Sequence, residues 1–238
     1  MQAKSFMTTR VAISKIFAGI VERYELVNHI ITLCLDCYWR WRTVAIAVGD
    51  SHVLALDLCS GTGDMALSLL RASKGKAMVI AVDICPQMAL KASYRLRKHG
   101  VHFIVADAML LPFRDHAFDI ITISFGIRNI FKSRVSFVKW LAEVRQKLRD
   151  GGKLILLETS QPEIRPIMRL FHWYVRFVVR WLGGWLSGSP SAYRYLSDTI
   201  IHFVDAKTLA QMLLEAGFKK VHVFPFLFGI VVAHIAIK

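Results

Sequence analysis

Cysteine is scarce in this chain: four residues in 238, at Cys34, Cys37, Cys59 and Cys85. So few thiols exclude a disulfide-built scaffold and fit a reducing, cytoplasmic setting. Cys34 and Cys37 form a C-x-x-C with no second pair to complete a zinc site, and the apolar run at 30–35 predicts buried thiols there. The nine histidines show no ligand spacing, so no metal is expected. Long unbroken apolar runs are missing too. The chain is 55% hydrophobic, yet no window reaches the roughly 18–20 residues of a spanning helix. The richest stretches, 170–186 and 223–237, are interrupted by Arg176 and Arg180, or by Pro225, Gly229 and His234. A soluble protein with a lipid-facing side is expected. Residues 1–10 lack the charged-then-apolar design of a secretory signal. Repeats and low-complexity linkers are absent, and the length suits one α/β domain with additions. Acids are the last deficit: 17 against 31 Lys and Arg, a net charge of +14. That excess calls for an anionic partner, either nucleic acid or a membrane surface.

What is present begins at residues 54–64, Leu-Ala-Leu-Asp-Leu-Cys-Ser-Gly-Thr-Gly-Asp. An apolar run ending in an acid leads into a Gly-Thr-Gly turn, and helical periodicity resumes at Met65. Strand, glycine turn and helix together open a nucleotide-type site in an open α/β sheet. Gly61 and Gly63, lacking Cβ, let the backbone turn sharply and approach a ligand.

The rest of the chain supports that architecture. Residues 10–48 read as two helices, the first carrying Val11, Phe17, Val21 and Tyr24 on one face. Strands are expected at 52–58, 78–82, 102–105, 118–123 and 153–158, and helices at 63–73, 86–98 and 133–147. Such alternation predicts βαβ units and a mainly parallel sheet. Asp150-Gly151-Gly152 reads as a turn before the fifth strand. A helix over 205–216 and two closely joined strands, 219–226 and 229–237, finish a seven-stranded sheet with an antiparallel end. The expected organisation is a single domain over 1–238. It comprises N-terminal helices (1–50), a cofactor-binding core (51–158), a helical acceptor-side insertion (159–204) and a C-terminal helix with two strands (205–238).

The glycine turn also satisfies the dinucleotide pattern, with Asp83 about 20 residues on, so a nicotinamide oxidoreductase is one alternative. The acids favour another ligand. Asp57 ends the first strand and Asp64 opens the helix, where a pyrophosphate wants no competing negative charge. S-adenosylmethionine carries an ammonium, a sulfonium, a ribose and an adenine, and no phosphate. Asp83 can accept both ribose hydroxyls, and Asp107-Ala108 can meet the adenine edge.

At these residues the chain resembles the class I methyltransferases. More closely, it is similar to the UbiE/MenG/Coq5 family of quinone-biosynthesis C-methyltransferases. The segments that carry the likeness are Leu56-Asp57 with Gly61-Thr62-Gly63-Asp64, Asp107-Ala108 with Leu111-Pro112-Phe113, and Phe118-Asp119. Ser124-Phe125-Gly126-Ile127-Arg128-Asn129 and Tyr193-Arg194-Tyr195-Leu196 are more specific to the family. The resemblance implies a Rossmann-like fold and S-adenosylmethionine held by Thr62, Asp83, Asp107, Ala108 and Ser124, alongside Asp57, Gly61 and Gly63. It implies methyl transfer to a ring carbon of a polyprenylated quinol, a demethylmenaquinol or a 2-methoxy-6-polyprenyl-1,4-benzoquinol. Arg128 would stabilise the phenolate or polarise a water, Asn129 would orient the ring oxygen, and Tyr193 and Tyr195 would shape the acceptor pocket. A turn residue at Asn129 and a salt bridge at Arg128 are the plainer alternatives. The chain departs from the family on the acceptor side, with Tyr24-Glu25 in place of Tyr-Asp and Ala233-His234-Ile235-Ala236 in place of a basic, tyrosine-bearing tail.

The positive charge has a location. From Ile164 to Ser197 there is no acidic residue. Projected on a helix over 166–182, Arg165, Arg169, His172, Arg176 and Arg180 fall in one stripe, with Pro166 at the start and Gly183-Gly184 at the stop. With Trp173, Trp181 and Trp185 alongside, this helix predicts peripheral contact with the inner face of the membrane, where a quinol tail would be collected. The alternative is a core-packed helix with a solvated arginine row. RNA methylation would require aromatics interleaved with bases along a groove. Here they share a wide apolar helix, so no nucleic-acid partner is expected. A homodimer is left open.

Overall fold

The computed structural model describes residues 13–48 and 52–238. Its centre is a seven-stranded sheet built from β1 (Val53–Leu58), β2 (Ala77–Asp83), β3 (His102–Val105), β4 (Phe118–Ser124), β5 (Leu148–Thr159), β6 (Lys220–Phe226) and β7 (Val231–Ile237). The strand order is β3-β2-β1-β4-β5-β7-β6. The first five are parallel, and β7 runs antiparallel to both β5 and β6.

Alternate residues feed two cores, as the period of two in a strand requires. Leu56, Ile121, Ile123, Leu154 and Leu156 pack against α5 (Arg134–Lys147) and α9 (Ala206–Glu215) through Phe137, Trp140, Leu141, Leu209 and Leu213. On the other face Ala55, Val79, Ile120 and Ile155 meet α2 (Leu35–Ala47) and α3 (Asp64–Ala72) through Val44, Met65 and Leu69. The helix α4 (Pro86–Leu96) links β2 to β3, and proline takes its first turn, where no N–H is needed.

Four expectations are corrected by the structure. The N-terminal region is not two helices: a helical stretch at 13–18 breaks into a turn at 19–23 before α1 (Tyr24–Thr32), so Val21 lies in the turn. Val11 lies outside the described residues. Lys91 holds that turn, donating to the carbonyls of Val21 and Glu22 at 2.8 and 2.9 Å. The Asp150-Gly151-Gly152 turn is a bulge inside β5, where pairing with β4 jumps from Phe118↔Leu148 to Ile120↔Lys153.

The basic helix does not stop at Gly183-Gly184. It runs as α6 (Arg165–Tyr174), widens into a π-helical segment (Val175–Leu182), and continues as α7 (Gly183–Ser187). A Cβ on Gly183 would stand 2.3 Å from the Tyr193 ring, so the glycine is there for the close approach of α8 (Pro190–Ile201), not as a stop signal. Phe171, Val175, Val179, Gly183 and Ser187 are buried, every fourth residue. Leu170, Trp173, Phe177, Trp181 and Trp185 are exposed, on the side away from that buried row. His172 leaves the arginine row: its ring shares a 2.7 Å hydrogen bond with Gln161, and burial lowers its pKa.

Candidate active site

The strands β1 and β4 are neighbours where the order of the sheet reverses, the place where open α/β sheets form ligand crevices. Each leaves the sheet through a left-handed residue, Cys59 with φ 53° and Phe125 with φ 54°. Such a conformation costs a bulky residue about 1–3 kcal/mol, so the surrounding packing must hold it. A cleft lies against these turns, walled by Gly61, Asp83, Asp107, Ala108, Ser124 and Asn129.

Asp83 ends β2, and its two carboxylate oxygens each accept a backbone N–H, from Gly61 and from Cys85, both at 2.8 Å. The glycine turn is thereby tied to the neighbouring strand. Burial pushes the Asp83 carboxyl above the usual range, against the pull of those donors. After β3, Asp107 accepts the Met109 N–H at 2.8 Å, and the Trp140 indole donates to the Ala108 carbonyl at 2.9 Å. These contacts place two carboxylates and a small residue on one wall, a set suited to ribose hydroxyls and an adenine edge.

Asp57, Thr62 and Gly63 are not on that wall. Asp57 is fully buried beneath the turn, accepts the Thr122 hydroxyl at 2.7 Å, and has its carboxyl pushed up to about 7 by burial. Thr62 is buried as well. Gly63 has φ 87°, and a Cβ there would meet Leu96 at 2.6 Å, so it serves the packing of α3 on α4. Asp64 pairs with Arg95 at 2.8 Å and lies 4.0 Å from Arg40. Asp57 and Asp64 therefore do not set this turn against a pyrophosphate. One carboxyl is buried with a raised pKa, and the other is already neutralised. The wall's negative charge belongs to Asp83 and Asp107.

A second cavity, of about 600 Å³, adjoins the first, and Tyr24 and Phe125 belong to both walls. It is overwhelmingly apolar, with sides from α1, α2, α6 and the π-helical segment. Six of its lining side chains, Leu33, Leu35, Leu170, Trp173, Leu227 and Phe228, are also solvent-exposed and so mark its mouth.

Arg128 and Asn129 are consecutive in a 3-10 turn and face different chambers, Arg128 the apolar cavity and Asn129 the cleft. The Arg128 guanidinium is buried and donates to the Glu158 carboxylate and, at 3.2 Å, to the Thr159 hydroxyl. Arg128 Nε and the second Glu158 oxygen have no partner among the described residues. Burial raises the Glu158 carboxyl, and the charge of Arg128 opposes that. The Tyr195 hydroxyl donates to Asn129 Oδ1 at 3.1 Å. Tyr24, between the chambers, has its phenol raised by burial, with Arg128 and Arg40 pulling it down, so it stays protonated and can donate. Arg40 is itself buried, paired with Asp36 at 2.6 Å, and its guanidinium carbon lies 5.2 Å from the centre of the Phe125 ring.

A model of the ubiE/COQ5 methyltransferase family matches residues 4–238. The chain belongs to this family. It is 36% identical over 221 residues to a demethylmenaquinone methyltransferase of Thermus thermophilus, covering 92% of this chain and 98% of that protein. It is 32% identical to a ubiquinone/menaquinone biosynthesis C-methyltransferase, UbiE, of Citrifermentans bemidjiense, covering 95% and 96%. The fold matches a SAM-dependent methyltransferase of Thermotoga maritima with TM-score 0.67 at 18% identity, over 95% of this chain and 99% of that one. The protein is an S-adenosylmethionine-dependent methyltransferase.

Within this family member the predicted residues divide. Gly61, Asp83, Asp107, Ala108, Ser124, Arg128 and Asn129 line the two chambers, while Asp57, Thr62 and Gly63 support the turn from behind. Tyr195 reaches the site through Asn129 without lining either chamber, and Tyr193 is fully buried inside the helical insertion. Tyr193 is therefore packing, because the close crossing at Gly183 points its ring into that core. Tyr24, Arg40, Phe125 and Glu158 were not anticipated as site residues. Glu158 carried a signal: it ends an apolar strand with an acid, as Asp57 and Asp83 do.

The C-x-x-C reading is corrected as well. Cys34 and Cys37 are exposed, because the turn joining α1 and α2 passes over the surface through left-handed Leu33 and Cys34. His29, Asp36 and Cys37 offer ligand atoms within 4.8 Å of one another. The Asp36 carboxylate, however, already accepts from Arg40, from the Thr32 hydroxyl at 2.8 Å, and is shared with His29.

Proposed function

We propose that this methyltransferase acts on a ring carbon of a polyprenylated quinol, of the demethylmenaquinol or 2-methoxy-6-polyprenyl-1,4-benzoquinol type. The observation that carries this is the junction of an acid-lined cleft with a large apolar cavity at Tyr24 and Phe125, with a buried arginine beside it. A small polar acceptor would have no use for a cavity of about 600 Å³. A quinol ring fills the junction, and its isoprenoid tail extends toward the exposed mouth.

When bound, S-adenosylmethionine supplies an electrophilic methyl on a sulfonium. The protein makes the acceptor carbon nucleophilic and aligns it. Arg128, clamped by Glu158 and Thr159, favours the ionised oxygen of the quinol, which raises electron density in the ring. Tyr24 donates to a ring oxygen from the shared wall. Asn129, held by Tyr195, fixes the acceptor's edge nearest the cleft. The aromatic and aliphatic walls exclude water, which strengthens each of these electrostatic contacts. As the new carbon–carbon bond forms the methyl–sulfur bond breaks, and the proton on the methylated carbon then passes to water at the cavity mouth while the ionised ring oxygen regains one, which restores the aromatic quinol. The substrate is collected at a membrane surface, to which the basic helix is suited. No helix among the described residues is long and apolar enough to cross a membrane.

The test is methylation of a short-chain demethylmenaquinol and of its benzoquinol counterpart under reducing conditions, followed by mass spectrometry of the ring. Methyl transfer to one or both supports the proposal, and their ratio names the preferred ring. Tight NAD(P)H binding with no affinity for S-adenosylmethionine, or transfer to RNA with none to quinols, would overturn it.

A further inference from the structure

The mouth of the apolar cavity is made by side chains that a protein in water has reason to hide. Leu33 is 82% exposed, Phe228 72%, Leu170 65% and Trp173 54%. They come from three separate places: the α1–α2 turn, the outer face of α6, and the tip of the β6–β7 hairpin. From Trp173 the exposed row continues along the helix through Phe177, whose ring centre is 5.6 Å away, to Trp181 and Trp185 at 71% and 76%. Contiguous apolar exposure of this kind marks a contact surface.

The charges beside it choose the partner. Arg169, Arg176 and Arg180 each stand one residue before a member of the apolar row, so the two rows lie side by side on the helix. None of these arginines has an ion-pair partner among the described residues, and no acid occurs between Ile164 and Ser197. Tryptophans that enter the headgroup boundary, flanked by cations at the level of the phosphates, are the composition of an interfacial helix. A protein partner of matching shape would need an acidic rim around an aromatic groove. A lipid surface supplies both elements without a specific fold.

We propose that this face docks on an anionic bilayer with the cavity mouth inside the lipid boundary. Leu170 and Trp173 belong to both the mouth and the row, so docking the row submerges the mouth. A polyprenyl tail then passes from acyl chains into the cavity without crossing water. The surface rests on the quinol reading only for the identity of its cargo.

Trp181 and Trp185 line neither chamber, which makes them the residues to change. The experiment compares the full chain with the W181E/W185E variant in co-sedimentation with vesicles of 7:3 phosphatidylcholine and phosphatidylglycerol, and with pure phosphatidylcholine. Wild type should bind the anionic vesicles, with partitioning weakened by 0.5 M salt, and the variant should bind them at least about tenfold less. Activity on a dispersed short-chain quinol should be unchanged in the variant, while activity on a long-chain quinol embedded in vesicles falls by the same factor. Quenching of tryptophan fluorescence by brominated lipid should fall in step with the loss of binding in the variant. Equal vesicle binding by both proteins, or none by wild type, overturns the proposal. So does a dimer in sedimentation velocity that W181E/W185E converts to monomer, because the face would then belong to a second copy. If vesicles bind as expected but no quinol is methylated, the functional reading fails and the docking surface stands.

Discussion

The cleft and the apolar cavity meet at two side chains yet are built by opposite means. The cleft is assembled from strand ends, and its key atoms are held by backbone N–H groups a few residues away in space, as Asp83 is by Gly61 and Cys85. The cavity is assembled from α1, α2, the 165–187 helix and the β6–β7 hairpin, with its polar atoms held by buried ion pairs, Arg40 with Asp36 and Arg128 with Glu158. A backbone-held site tolerates side-chain changes elsewhere because the sheet keeps its register. A site held by buried charge pairs couples chemistry to stability, since removing one partner strands the other.

The sharpest way to expose that difference is Arg128→Ala. It should lower kcat by about 10²–10³-fold, the usual cost of one electrostatic donor to a developing oxyanion. It should also destabilise the fold by about 3–5 kcal/mol through the stranded Glu158 carboxylate. Pairing Arg128→Met with Glu158→Gln should restore the melting temperature and leave kcat low; a double variant that recovers activity would reduce Arg128 to a structural ion pair. Next in size is Asp83→Ala, which should weaken S-adenosylmethionine by about 10–100-fold in calorimetric titration, the scale of a lost charged hydrogen bond. The affinity for a quinol analogue should barely move, because Asp83 lines only the cleft.

Tyr24→Phe tests the shared wall. Loss of one neutral donor should cost about tenfold in kcat with both dissociation constants within about twofold, since shape is retained and only the hydroxyl is lost. An effect confined to one ligand's affinity would remove Tyr24 from the junction. The remaining effect, on stability and not on activity, concerns Asp57. Its carboxyl stands near 7 in the fold against an ordinary 3.8. The folded state thus binds more protons than the unfolded chain between those values. Stability from this group is complete below about pH 4 and is lost as pH rises through 7. Urea titrations from pH 5 to 8 should show wild type losing stability relative to Asp57→Asn, by up to a few kcal/mol. Parallel curves would mean that Asp57 is ionised throughout.

The same contrast decides what could be read in advance. Strand ends were legible because alternating apolar runs closing in an acid, a glycine turn, and helical periodicity are all local signals. The mainly parallel sheet and its antiparallel finish follow from the connections, whereas the order β3-β2-β1-β4-β5-β7-β6 emerges only in the fold. What local signals could not give is which way a strand-end residue points. Asp57 and Asp83 look alike in sequence, yet Asp57 sits under the turn with Thr122 and Asp83 on the wall. The cavity was less legible still, since Tyr24, Phe125, Arg128 and Val231 come together only through the tertiary fold. The insertion misled in one respect, because a projection at 3.6 residues per turn assumes a regular helix and this one widens at Val175–Leu182.

That widened segment sets the phase of the whole insertion. In a regular helix, positions four apart advance by about 40° around the axis, so Trp173 and Trp185 would diverge by about 120°. The ring at the far end would then wind toward the protein interior, and valines meant for the core would swing into solvent. Wider turns take up that rotation and keep one edge of the helix greasy from end to end. Deleting a single residue between Val175 and Leu182 should therefore twist the outward surface out of line and disturb the cavity wall that Val175 and Val179 form, while leaving the cleft at the strand ends in place.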